Sequence, residues 1–228
     1  MIITIDGPIA TGKSSIAKKL AQEIGFIYFD TGAMYRCITY GVLKQKINVD
    51  DPTQLAEFLK TFTFDIKIKR GERYYVVGDE DVTDKIRGQE VTSAVSKVSA
   101  IPAVREKLVV LQQNAAMGVN AVFEGRDMGT VVFPNAQVKV FLTGRPEVRA
   151  KRRYDELKAK YPKDFENLTF EQALADITQR DNYDMNREMS PLKKADDAFV
   201  VDTSDLSIDE IIFKILEYRD TLKTRQKT

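Results

Sequence analysis

Apolar residues follow two periodicities along this chain, and the switches between them mark its elements. Residues 2–6 form a short β-branched run ending at Gly7-Pro8, which reads as a buried strand. From Lys13 onward, Ile16, Leu20 and Ile24 recur at helical spacing until Gly25 ends the run. Residues 26–30 read as a second strand, and Thr31 then caps a helix carrying Met34, Ile38 and Val42 on one face. A strand–turn–helix–strand–helix opening begins a parallel α/β fold.

The middle of the chain changes period. Over residues 62–69, Phe62, Phe64, Ile66 and Ile68 alternate with polar positions, which predicts a strand with one apolar face. Arg70-Gly71-Glu72 turns it, residues 73–77 run back, and Gly78-Asp79 turns again before Val82. A small antiparallel sheet inside an alternating α/β chain implies an inserted subdomain. Residues 89–99 and 103–117 read as helices separated at Pro102. Residues 121–124 and 137–142 read as strands, residues 146–160 as a charged helix, and 161–163 as a polar loop. Residues 169–188 read as a helix whose second half is crowded with Arg and Asp. Residues 198–202 form a last strand before a helix capped by Ser207, with Ile211, Ile212, Ile215 and Leu216 facing inward. Arg225 and Lys227 read as a solvated terminus.

At 228 residues the chain is long enough for one domain that buries roughly 70 % of its unfolded surface. Its single cysteine, Cys37, leaves no internal disulfide and suits a reducing compartment. The chain has no histidine, which excludes Ser-His-Asp hydrolysis, Cys-His proteolysis and His-rich zinc sites. Lys and Arg number 35 against 34 Asp and Glu, so net charge makes no case for a nucleic-acid or membrane binder. No apolar run approaches the ~18 residues of a spanning helix. The first residues read as a strand and not as a signal peptide, and the expected location is the cytoplasm.

Gly7-Pro8-Ile9-Ala10-Thr11-Gly12-Lys13-Ser14 matches the phosphate-loop pattern G-x-x-x-x-G-K-[ST] in its proper context, after a strand and before a helix. Glycine lets backbone N–H groups turn inward around phosphate oxygens, and the helix N-terminus adds its dipole. Lys13 is expected to reach the β- and γ-phosphates of ATP, with Ser14 holding Mg²⁺ directly or through water. The motif is shared by GTPases, ATP-driven machines and small-molecule kinases. The short chain leaves little room for mechanical domains, and the lack of Asn-Lys-x-Asp counts against a GTPase.

The acceptor has to be read from arginines paired with acids. Arg36 lies early on the helix after the second strand, and Glu124-Gly125-Arg126-Asp127 follows the third, at the edge where open α/β sheets bind ligands. Glycines 125 and 129 allow an irregular turn there. Arg180, Asp184 and Arg187 share one helical face, though Arg180 and Asp184 alone also fit an ordinary surface pair worth a few tenths of a kcal/mol. Ser96 and Arg105 flank Pro102. Arginines converging on one phosphate loop suit phosphoryl transfer, which needs the charge of donor and acceptor neutralised. No general base is compulsory when the acceptor is already a phosphate anion.

Taken together, residues 7–15, 30–36, 89–91, 104–106, 124–134 and 180–187 with Pro191-Leu192 resemble the bacterial cytidylate kinases over nearly the whole chain. The run Gly-Arg-Asp-Met-Gly-Thr-Val-Val-Phe-Pro at 125–134 is the most specific segment. The resemblance implies a P-loop kinase of the α/β class: a central parallel sheet flanked by helices, an inserted monophosphate-binding subdomain with a small antiparallel sheet, and a helical lid. It places the core at about 1–33, 103–144 and 190–228, the insert at about 34–102 and the lid at about 145–185. It implies transfer of the ATP γ-phosphate to CMP or dCMP.

By the same resemblance Gly7, Pro8, Ile9, Ala10, Thr11, Gly12, Lys13, Ser14 and Ser15 would hold ATP. Thr31, Arg36 and Arg126 would hold the CMP phosphate, and Ser96, Arg105 and Asp127 would read the cytosine edge. Arg180 and Asp184 would approach ribose and phosphates, and Arg187 would stabilise charge in transfer. Lys13, Arg126, Arg180 and Arg187 form the implied catalytic set. One or two of Arg145, Arg149, Arg152 and Arg153 would clamp ATP from the lid, the rest forming a solvated face. Two positions depart from the family's pattern. Glu124 stands where Asp is frequent, which keeps the charge, and Thr31 stands where some members have Ser, which keeps the hydroxyl. The alternatives are a kinase for another nucleoside monophosphate and a nucleotide-binding module without turnover. The expected partners are small molecules alone, with no nucleic acid or membrane, and the expected state is a monomer.

Overall fold

The computed structural model of this protein describes residues 1–69, 72–163 and 165–225. In chain order the elements are β1 (Ile2–Asp6), α1 (Lys13–Glu23), β2 (Ile27–Asp30), α2 (Thr31–Lys44), α3 (Pro52–Thr61), β3 (Phe64–Lys69), β4 (Glu72–Val77), β5 (Glu80–Asp81), α4 (Gln89–Ala100), α5 (Pro102–Ala115), β6 (Ala121–Gly125), β7 (Val138–Thr143), α6 (Pro146–Lys160), α7 (Phe170–Asn186), β8 (Phe199–Asp202) and α8 (Ile208–Arg225). A 3-10 turn spans Lys85–Arg87 and a π-helical turn spans Met128–Val132. The expected turn at Arg70-Gly71 and the tail residue Lys227 lie outside the described residues.

The chain divides into two compact units, Met1–Phe29 with Ala116–Thr228, and Asp30–Ala115. The first holds a five-stranded sheet in the order β2-β6-β1-β7-β8. β1 pairs in parallel with β6 on one side and β7 on the other, and β7 pairs in parallel with β8. One face is covered by α1 and α8, where Ile3, Ile5, Leu20, Val140, Ile211 and Ile215 form the core. The opposite face carries Thr4, Asp6, Phe123 and Lys139, with the Phe123 ring against Phe29 and Phe133 and the 128–132 turn against Thr4 and Lys139. Register sets Asp6 beside Gly125, so the loops after β1 and β6 leave the sheet side by side at its C-terminal edge.

The second unit holds α2–α5 and a three-stranded antiparallel sheet in the order β3-β4-β5. Three expectations need correction here. The helix α3 is absent from the sequence reading, yet its start carries two signals: Asp51 accepts from the Thr53 and Gln54 N–H groups, and Pro52 follows as the first helical residue. Its buried residues Leu55, Phe58 and Leu59 keep helical spacing. Because α3 runs to Thr61, Phe62 ends that helix and is not part of a strand. The expected apolar face of β3 also fades along its length, and Ile68 is 61 % exposed. Finally, the cap of α2 is Asp30 and not Thr31. The Asp30 carboxylate accepts from the Ala33 N–H at 2.8 Å, and Thr31 becomes the first helical residue.

Two boundaries move for simple reasons. Pro102 opens α5 and does not sit in a joint, because proline's missing N–H costs nothing at a helix's first position. Thr169 stands outside α7 as its cap, in a reciprocal capping box with Gln172. Ser207 caps α8 as expected, accepting from the Glu210 N–H while Glu210 accepts from the Ser207 N–H.

Candidate active site

The phosphate loop leaves β1 through Gly7, whose φ is +151° and where a Cβ would stand 2.2 Å from the Leu142 carbonyl oxygen, so no other residue fits. The next residues brace one another: Thr11 Oγ1 donates to the Pro8 carbonyl at 3.0 Å, and the Lys13 ammonium donates to the same oxygen at 2.6 Å. Ala10 has φ 59°, a left-handed backbone unusual for a residue with a side chain. Gly12 precedes α1 with no side-chain cap, and no acidic residue stands in the first turn. The first N–H groups of α1 therefore have neither cap nor carboxylate competing for an anion. Ser14 and Ser15 are exposed on that turn, while Thr11 and Lys13 are buried.

Burial pulls the Lys13 ammonium from its usual 10.5 down to about 7, and the Arg126 guanidinium adds to the fall. Glu124, Asp181 and Asp184 oppose it. The lysine is thus a cation held where a cation is costly, which bound phosphate would relieve.

Asp6, at the end of β1, is a residue the sequence reading missed. Its carboxylate accepts from the N–H of Met128 at 2.9 Å and of Gly129 at 2.8 Å, fixing the segment that begins with Arg126 and Asp127. Burial raises the carboxyl to about 6 against the lowering effect of those two bonds. Gly129 has an ordinary backbone angle, so the constraint there is one of space and not of an irregular φ. A Cβ there would meet Thr4 Oγ1 at 3.1 Å. The signal available in the sequence was an acid closing an otherwise apolar strand. Asp6→Ala leaves two buried N–H groups without their acceptor, and urea unfolding should show a loss of about 3 kcal/mol. A loss under about 1 kcal/mol would show that the loop keeps its place without the carboxylate.

Three arginines of the first unit, Arg126, Arg180 and Arg187, meet at one carboxylate. Asp184 has no solvent exposure. Its Oδ2 lies 2.8 Å from Arg126 Nε and 3.4 Å from Arg180 Nε, and its Oδ1 lies 3.8 Å from Arg187 Nη1. Arg187 also faces Asp127 at 3.6 Å and donates to the Ser190 carbonyl. The Arg180–Asp184 pair is therefore part of a buried network and not a surface pair. Tyr28 donates to Glu124 at 2.6 Å beside it. Of the four arginines expected in a lid, Arg145 pairs with Asp205, Arg152 donates to Thr203, and Arg153 pairs with Glu156. Only Arg149 turns into the phosphate loop, where it donates to the Ile9 carbonyl.

The second unit carries the other expected acceptor residues. Thr31 and Arg36 lie on the first turns of α2, Thr31 buried and Arg36 donating to the Ile86 carbonyl at 2.9 Å and Thr92 Oγ1 at 2.8 Å. Arg105 is 2 % exposed, its guanidinium 5.3 Å from the centre of the Tyr35 ring and donating to the Ser99 carbonyl at 3.0 Å. Ser96 is half-buried one turn before, and its carbonyl accepts from Ser99 Oγ. Buried Cys37, its thiol pushed up to about 12 by burial, is no nucleophile.

A parallel sheet whose central strand runs through a glycine–lysine–serine loop into an uncapped helix, with arginines gathered on a buried acid nearby, defines a phosphate-loop phosphotransferase. The family model described as cytidylate kinase matches residues 3–221. A protein named cytidylate kinase from Protochlamydia amoebophila is 66 % identical over 99 % of either chain. Another of that name from Geobacillus sp. is 46 % identical over 94 % of each. Among solved structures, an uncharacterized protein from Eubacterium ventriosum shares the fold at a TM-score of 0.51 and 15 % identity, over 97 % of this chain and 98 % of that one. The chain belongs to the cytidylate kinase family.

Proposed function

We propose that this protein transfers the γ-phosphate of ATP to CMP and dCMP, forming ADP and the cytidine diphosphates. The observation that supports the reading most strongly is the network of Arg126, Arg180 and Arg187 on Asp184, two of whose members, Arg126 and Asp184, act electrostatically on Lys13 of the phosphate loop. An acceptor phosphate oxygen attacks the γ-phosphorus, the bond to the bridging oxygen of ADP breaks, and the arginines offset the charge on both phosphates. Because the attacking oxygen is already anionic, the absence of histidine costs the reaction nothing.

Residues Gly7 to Ser15 bind ATP in this reading, with Lys13, Arg126, Arg180 and Arg187 catalytic. Thr31, Arg36, Ser96, Arg105, Arg126, Asp127, Arg180 and Asp184 serve CMP. Mg²⁺ suits the exposed Ser14 hydroxyl, a hard oxygen donor at the start of α1. Among the described residues no group of three or more His, Cys, Asp or Glu could form a cage, and Mg²⁺ would suit a site where the protein supplies few ligands. Held there, the ion would offset part of the charge of the phosphates. Residues 34–102 form the monophosphate-binding insert and 145–185 the lid, whose closure excludes water and limits ATP hydrolysis. The protein works as a monomer in the cytoplasm, and no described helix is long and apolar enough to cross a membrane.

The test is ADP formation from Mg-ATP with CMP, dCMP, UMP, AMP and GMP in turn, against a blank without acceptor. Turnover with CMP and dCMP far above the others is expected. Preference for another monophosphate would keep the transferase and retire the Ser96–Arg105–Asp127 base reading. Nucleotide binding without any turnover would overturn the proposal.

A further inference from the structure

One buried ion pair of the first unit has no part in the reaction above. Arg149 on α6 and Asp181 on α7 meet at 2.5 Å, each with 8 % of its side chain exposed. Between them they grip a single peptide residue of the phosphate loop. Asp181 Oδ1 accepts from the Ile9 N–H at 3.0 Å, and Arg149 Nη1 donates to the Ile9 carbonyl at 3.0 Å. Arg149 is itself anchored, its Nε donating to the Gly144 carbonyl at 2.9 Å. Ile9 is thus fixed on both sides of its Cα by two charged groups that hold each other.

The residue that follows is Ala10, in the left-handed region at φ 59°. Such a conformation is strained and persists only where surrounding contacts over-determine it. The grip on Ile9 supplies such contacts at the adjoining residue, one position before the strain. The other loop bonds, from Thr11 and Lys13 to the Pro8 carbonyl, lie within the loop and move with it. The Arg149–Asp181 pair ties the centre of the loop to a separate part of the fold, the α6–α7 helix pair.

We propose that Arg149 and Asp181 are positioning residues for ATP: they hold the phosphate loop in its anion-receiving shape before the nucleotide arrives. Neither touches the reacting atoms. Arg149 therefore serves ATP through the Ile9 peptide, and not as a phosphate clamp like that expected of the lid arginines. The inference rests on the reading of Gly7–Ser15 as the ATP site. Its energetic basis is preorganisation: a loop that must be ordered by its ligand spends part of the binding free energy on that ordering.

The experiment compares Asp181→Asn and Arg149→Lys, singly and together, in the full-length protein. Asn keeps the Ile9 acceptor but loses the charge that holds Arg149, and Lys keeps a charge but loses the fork that spans Gly144, Ile9 and Asp181. Each single variant should raise KM for ATP about tenfold, equivalent to about 1.4 kcal/mol, with KM for CMP within about twofold of the parent. The double variant should be no worse than about the poorer single one, since the pair acts as a unit. Parallel rises in both KM values would mean general loosening and would overturn the proposal, as would an unchanged KM for ATP. If Asp181→Asn fails to fold, Asp181→Glu keeps the ion pair and displaces the carboxylate from the Ile9 N–H, and the same split in KM is read. Lys13→Ala is the comparator. Full activity in it would retire the ATP site itself, whereas its inactivity beside unchanged KM values in the pair variants would retire the positioning role alone.

Discussion

Lys13→Ala is expected to lower kcat about a thousandfold, the scale seen when one preorganised donor to a developing charge is removed. The side chain sits inside its own loop, buried, on the Pro8 carbonyl, so the alanine variant loses a cation and little packing. Thermal unfolding should therefore move only slightly. The expected direction is upward, because burial of the ammonium opposes folding: with a folded value near 7 against an ordinary 10.5, the unfolded chain binds more protons between those limits. Stability attributable to this group accordingly increases as pH climbs from about 7 to 10.5, and the alanine variant should lack that rise. Activity runs the other way. In the free enzyme the ammonium is lost as pH rises through about 7, so kcat/KM for ATP should decline on the alkaline side, whereas kcat, measured with phosphate already paired to the lysine, should stay flatter. A kcat within tenfold of the parent would remove Lys13 from the transfer step.

How much of this was legible beforehand depends on how local each signal is. The loop from Gly7 to Ser14 is contiguous, and its strand and helix are neighbours in sequence, so both elements stand where the sequence puts them. The helix α3 carried local signals too, in Asp51-Pro52 and the Leu55–Phe58–Leu59 spacing, but its ten residues adjoin Phe62 and a period-two run that drew the reading toward a strand. Thr31 and Asp30 illustrate a different limit: both are good caps, and only the backbone decides which one stands outside the helix. Arg180, Asp184 and Arg187 were legible as one face of a helix, yet nothing in that spacing shows that Asp184 is fully buried or that Arg126, 58 positions away, completes its shell. The same holds for Arg149 and Asp181, 32 positions apart and joined through a third residue on a different element. Long-range pairing is set by topology, and a charged residue in a charged helix reads as solvent-facing until the fold turns it inward.

Asp184→Asn is where the largest combined effect on stability and activity is expected. Burial by itself would push this carboxyl up. The Arg126 and Arg180 guanidiniums, the Arg126 hydrogen bond and then Arg187 outweigh burial and hold it below the usual 3.8. Neutralising it leaves Arg126, Arg180 and Arg187 crowded together with Asp127 as the remaining acid in contact with Arg187. Breaking a buried pair from one side costs about 3–5 kcal/mol, because the partner charges stay in place without compensation. The lower end is the better figure here, since Arg126 and Arg180 keep 21 % and 25 % of their side chains in solvent. The acid side supplies an independent check. The parent's carboxylate contributes stability above the unfolded value near 3.8 and loses it as pH falls through the depressed folded value, so the gap between parent and variant should close below about pH 4. Urea, which leaves ion pairs unscreened, is the denaturant to use. Activity should fall at least a hundredfold at neutral pH, because the three arginines proposed to serve the phosphates lose their shared anchor. A variant that is destabilised yet keeps normal kcat would make Asp184 a strut of the fold only. A variant equally stable at pH 7 would mean the three guanidiniums find other anions, and the network would then be an accident of packing with no bearing on transfer.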